Sequence, residues 1–113
     1  MHVSACCTIL TLVAAVVSGG CAINAEPDFD SAVPQDRFLA IREAKARRDR
    51  SALPDLIRQL ASDDAIVRVA AIDALETITG ETRGFRPHDR EVERRRAIDR
   101  WTTWLETHQE AAK

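Results

Sequence analysis

The chain has 113 residues, enough for one small domain around one core and too few for a second. Its 16 Lys+Arg against 18 Asp+Glu leave a net charge of −2, so no long-range field recruits a polyanion, and nucleic acid is excluded as a default partner. The 3 cysteines, Cys6, Cys7 and Cys21, all precede residue 22, which excludes a disulfide framework or a cysteine-rich zinc site in the folded part.

Residues Thr8 to Val17, TILTLVAAVV, form an apolar run of signal-peptide length, well short of the ~20 residues that span a bilayer. Ser18-Gly19-Gly20-Cys21 follows at once. Small side chains let an extended backbone enter a peptidase cleft, and a thiol is the nucleophile that accepts an acyl-bearing group. The arrangement resembles the lipobox of bacterial lipoproteins, which implies cleavage before Cys21, lipid attachment at Cys21 and a membrane-anchored, periplasm-facing protein. The alternatives are ordinary cleavage after Ala25, giving a secreted or periplasmic soluble protein, and an apolar N-terminus retained in the cytoplasm. The expected division is a signal peptide over 1–20, a flexible tether over 21–33 and a helical domain over 34–113. EPDFDSAV, with its lone Phe29, is too polar to offset its ordering entropy by burial.

Beyond residue 34 the composition is that of helices. Ala, Leu, Ile, Arg and Glu dominate, Tyr is absent, and the whole chain has 4 Gly and 4 Pro. The fold class is therefore all-α, with about four helices. Pro34 suits a first turn, and Phe38, Ile41 and Ala44 then share a modest apolar stripe through Arg48. Ser51 is the expected N-cap of the second helix, accepting from the N–H of Leu53. Leu53, Leu56, Ile57 and Leu60 stand at i, i+3, i+4 and i+7, the cleanest amphipathic signal in the chain.

Ser62-Asp63-Asp64 marks the turn to a third helix, with its carboxylates at the positive end of the helix dipole and Asp64 four residues before Arg68. Val67, Ala71, Ala74, Leu75 and Ile78 form its core stripe, and Ile66, Ala70 and Ile72 widen the apolar surface beyond what one neighbour can cover. ALPDLIRQLASDDAIVRVAAIDALETI resembles a HEAT-type repeat of the short bacterial form, also called a PBS-lyase HEAT-like repeat. Leu56, Leu60, Asp64, Val67, Arg68, Ala71, Ala74 and Leu75 occupy its pattern positions. The resemblance implies a right-handed stack of helical hairpins used as a binding surface, with Asp36 to Arg48 as the second helix of a degenerate preceding repeat. It carries no implication of lyase activity.

Gly80 is placed as a left-handed C-cap, ETRGFRPH forms a loop anchored by Phe85, and a last helix is expected from Asp89 as N-cap. Its Ala97, Ile98, Trp101, Trp104, Leu105 and His108 share one face. The loop and RWTTWL resemble those of small exported bacterial HEAT-repeat proteins. A stack this short needs its ends closed. Trp101, Trp104 and Leu105 are expected to cap the C-terminal side and Phe38 with Ile41 the other, closing a four-helix domain.

No constellation carries chemistry. Arg94-Arg95-Arg96, with Arg90 and Arg100, interleaves with Asp89, Glu91, Glu93 and Asp99, the pattern of a self-paired exposed helix face rather than an anion site. His88 and His108 lie ~30 Å apart along a helix, too far to share a metal. No serine sits in a strand-to-helix elbow, and Asp63 with Asp64 reads as capping. The expectation is a non-enzyme with no cofactor, no metal and no catalytic residue. It binds another protein or an envelope component and touches the membrane only through its lipid. A soluble accessory subunit of an enzyme complex is the alternative, and a homodimer through the open hairpin face is a further assembly to test.

Overall fold

A computed structural model describes residues 25–111, so the signal peptide expected over 1–20 and Cys21 lie outside the described residues. The fold is all-α. Among the described residues it consists of four helices and one short 3-10 turn: α1 (Pro34–Arg47), the turn Arg50–Ala52, α2 (Leu53–Gln59), α3 (Ala65–Thr79) and α4 (Glu91–Ala111).

Pro34 opens α1, where a missing N–H is no loss. The helix ends on Arg48 in the left-handed region, φ 48° and ψ 46°. Asp49 N–H donates to the Ala44 carbonyl and Arg48 N–H to that of Lys45, a Schellman closure. Glycine usually fills this position. Here Arg48 Nη1 donates to the Thr77 carbonyl at 2.9 Å, so the residue that bears the backbone strain also ties α1 to α3.

The N-cap before α2 is Asp49, not Ser51. Asp49 Oδ1 accepts from Ser51 N–H at 2.9 Å and from Ser51 Oγ at 2.5 Å. The 3-10 turn begins at Arg50, so Ser51 already lies inside it and serves as donor. These hydrogen bonds, the Oγ donor first, hold the Asp49 carboxyl below its ordinary value. Leu53, Leu56, Ile57 and Leu60 are all buried.

Asp64 caps α3, its Oδ1 accepting from Ile66 N–H at 2.9 Å and Val67 N–H at 3.0 Å. Gly80, at φ 83°, ends that helix, donating to the Glu76 carbonyl. Val67, Ala71, Ile72, Ala74 and Leu75 are buried, and Ile78 packs half-buried against them. α3 lies between α1 and α2, while α4 packs on α2.

The segment before α1 is fastened rather than free. Phe29 packs against the core, the buried Gln59 donates its Nε2 to the Phe29 carbonyl at 2.9 Å, and Asp28 N–H donates to the Asp36 carbonyl at 3.1 Å. Asp28 and Phe29, expected within a flexible tether over 21–33, are therefore held to the domain. The amide of Gln59 satisfies a carbonyl that water would otherwise solvate, and the Phe29 ring offsets ordering entropy that the polar neighbours cannot.

Candidate functional site

α1 and α3 run side by side in the same direction. Arg37 Nη2 meets Ser62 Oγ near their N-terminal ends, Lys45 pairs with Asp73 at 2.5 Å further along, and Arg48 reaches Thr77 at the C-terminal ends. Between them lies an open groove of about 700 Å³. Phe38, Ile41, Ile66, Val69 and Ala70 form its apolar part. Arg42, Lys45 and Arg48 stand on the α1 side with Asp73 opposite, so three cations face one carboxylate in a chain whose net charge is −2.

The apolar part is not closed by the chain itself. Ile66 is 68% exposed and Val69 41%. Ile41, by contrast, is buried beneath them at 1%. The closure expected at this end from Phe38 and Ile41 is made in part: Ile41 is buried in the core where α1 packs on α3, whereas Phe38 lines an open groove. α1 meets α3 along one stripe, and no further helix covers its outer side among the described residues.

Comparison with protein-family models, curated proteins and solved structures finds no match.

The opposite end is covered. Trp101 is fully buried, Ala97 lies beside it, and Trp104 and Leu105 are half-buried against the core. The Trp101 indole Nε1–H donates to the Thr82 carbonyl at 2.9 Å, which satisfies its buried polar atom. Trp104 meets Trp101 edge to face with centroids 5.5 Å apart. The 80–90 loop completes this end, with Phe85 buried and Arg83 over both indoles.

Arg68 does not pair with Asp64. Its Nη1 donates to the carbonyls of Ser62 and Asp63 at 2.9 and 3.0 Å, and its Nε to that of Pro87 at 3.2 Å. It stitches the α2–α3 turn to the loop before α4, because three backbone acceptors converge where the Asp64 carboxylate is already committed to the helix N-terminus. Asp63 contributes its carbonyl. Asp89 likewise contributes its carbonyl, to Arg94 Nη1 at 2.5 Å, and α4 starts one residue later than a cap there would set.

The basic residues of α4 are engaged within the chain: Arg95 with Glu91 at 2.5 Å, Arg96 with Glu93 at 3.2 Å, and Arg100 Nε with the Arg83 carbonyl at 2.9 Å. Among the described residues no group of three or more His, Cys, Asp or Glu is placed to hold a metal ion, and no helix is long and apolar enough to cross a membrane. The apolar pattern of α3 predicts Ile66 on a covered surface, and no periodic signal marks Val69 or Arg42. The available signal was the surplus of apolar residues on α3 over the partners that could bury them.

Proposed function

We propose that the chain is a non-catalytic protein-binding module: a short HEAT-like helical stack, exported and tethered by a lipid on Cys21, that receives a partner in the α1/α3 groove. The observation that carries this reading is the open apolar floor at Ile66 and Val69. A helix face left apolar and exposed beside a second helix is a surface waiting for cover. Its size also bounds what it can do. Full burial of one aliphatic side chain contributes ~1.5–3 kcal/mol, and these two are already partly covered, so the floor supplies at most a few kcal/mol. Association costs ~4–15 kcal/mol, which the floor alone does not offset. Polar contacts at the rim must supply the rest.

The test is a photo-crosslinking residue at Val69 in the full-length chain within native envelopes, with Thr103 on α4 as the control position. One stoichiometric partner captured at Val69 and absent at Thr103 supports the reading. Equal capture at both, or none, overturns it. Labelling with an alkyne fatty acid tests the anchor: label lost in Cys21→Ala supports it, whereas an unmodified mature N-terminus with crosslinking retained favours a soluble accessory subunit.

A further inference from the structure

Resting on the reading of the α1/α3 groove as the binding surface, we infer that its occupant is an amphipathic helix bearing a carboxylate. Its apolar side chains lie over Ile66 and Val69 and its acid meets Arg42 and Arg48. The groove is polarised along its length. Phe38, Ile66 and Val69 mark the end near the helix N-termini, and Arg48 with Thr77 marks the other. From Phe38 to Arg48 the groove follows α1 for about 15 Å, the length of roughly ten helical residues. A channel between two parallel helices offers the ridge spacing into which a third helix packs, read by its occupant as anchors at i, i+3, i+4 and i+7.

The charges choose among such helices. Lys45 is neutralised by Asp73, while Arg42 and Arg48 have no carboxylate within ion-pair distance among the described residues. Arg48 commits Nη1 to Thr77 and keeps the rest of its fork. Arg42 leans over the edge of the groove, its guanidinium carbon 5.9 Å from the Phe38 ring centre. Arg42 stands about one turn along α1 from Phe38 and Arg48 nearly three, so the two forks match a carboxylate centred about two turns, within ~6–15 Å, from the anchor residues of the incoming helix. A second copy of this chain fits less well: a two-fold contact through the same groove sets the arginine end of one copy against the apolar end of the other and brings no free carboxylate to Arg42 or Arg48.

The probe is a displayed library of amphipathic helical peptides about fourteen residues long, randomised at the apolar and flanking positions and selected on the full-length chain. Enriched sequences should carry the four-anchor pattern with Asp or Glu about two turns away. A synthetic member should bind about tenfold or more weaker when its acid is changed to Gln. Ile66→Asp should abolish enrichment, and Arg42→Glu should shift it toward Lys and Arg, with circular dichroism melts showing both variants folded. Enriched helices without an acidic excess, still lost in Ile66→Asp, would overturn the charge inference and leave the groove standing. Absence of any enriched helix overturns the inference. If the chain then sediments as a dimer that Ile66→Asp dissociates, the occupant is a second copy. If Val69 crosslinking also captures nothing, the groove reading fails with it.

Discussion

The guanidinium carbon of Arg83 lies 4.6 Å from the centre of the Trp104 ring and 5.2 Å from that of Trp101, so one cation holds the two indoles of the C-terminal cap. Its Nε is buried without a hydrogen-bond partner, and its remaining ion pair, to the exposed Glu81 at 2.7 Å, is of the weak surface kind. Contact with the ring faces is therefore what keeps Arg83 here. Arg83→Ala should cost about 1–2 kcal/mol by urea unfolding and shift the tryptophan emission to the red. A double-mutant cycle with Trp104→Ala should show coupling of about 0.5–1.5 kcal/mol, and strict additivity would mean that the two side chains do not interact.

Trp101→Ala should cost about 3–5 kcal/mol, a large fraction of the stability of a domain this size, because it opens a large cavity and orphans the Thr82 carbonyl. Trp104→Ala should cost clearly less, since that ring is half-buried. Thermal melts of the two variants give the order, and equal midpoints would contradict it.

Leu56 and Ile66 are both apolar helix residues with opposite fates. Leu56→Ala should destabilise by about 2–5 kcal/mol, and Ile66→Ser should stay within about 0.5 kcal/mol of the parent. Denaturant midpoints decide. A large loss for Ile66→Ser would mean that the groove floor is closed in solution.

Gly80 and Gly84 separate backbone strain from crowding. Both hold positive φ, 83° and 73°, but a Cβ on Gly80 meets nothing within 4 Å, whereas one on Gly84 lies 2.8 Å from Arg100 Nη2. Gly80→Ala should cost about 1 kcal/mol from conformation alone. Gly84→Ala should cost that and about 0.5–1.5 kcal/mol more, because displacing Arg100 endangers its hydrogen bond to the Arg83 carbonyl. In an Arg100→Ala background the difference should vanish.

Asp49 links stability to pH. Its folded pKa is lowered, chiefly by the Ser51 Oγ hydrogen bond and next by that of Ser51 N–H. The unfolded chain therefore binds more protons across the window below the ordinary value of 3.8, and stability rises with pH there. The contribution is complete above that value and is lost as pH falls through the folded pKa. Urea midpoints between about pH 2 and pH 5 should fall less steeply for Asp49→Asn, which still accepts from Ser51 but does not titrate. Parallel slopes would show that other carboxylates carry the acid sensitivity.

The helices were legible because their cores obey the helical period: Leu53, Leu56, Ile57 and Leu60 announce a buried stripe without help from the rest of the chain. The turn before α2 was not, because Asp49 and Ser51 are both good caps and only the 3-10 start at Arg50 decides which one accepts. Phe29 was unreadable for a different reason. A lone aromatic in a polar stretch has no period, and its burial depends on the amide of Gln59, thirty residues on. The groove fell between these cases. The sequence of α3 displays its apolar excess plainly, but whether Ile66 and Val69 are covered depends on how α1 crosses them and on whether another element packs outside α1. Neither is a local property of the chain.

The fastening of Asp28 to Asp36 sets how far the domain can stand from its proposed anchor. The covalent chain from Cys21 to Asp28 spans at most about 25 Å, against roughly 45 Å from Cys21 to Val33. The attachment is at the start of α1, whose 14 residues extend about 20 Å further. Under the proposed lipidation, the start of α1 lies within that covalent reach of the bilayer surface. A partner helix must then come within about 45 Å of the lipid surface, a height that favours the membrane-proximal stalk of a neighbouring envelope protein over anything free in the surrounding space.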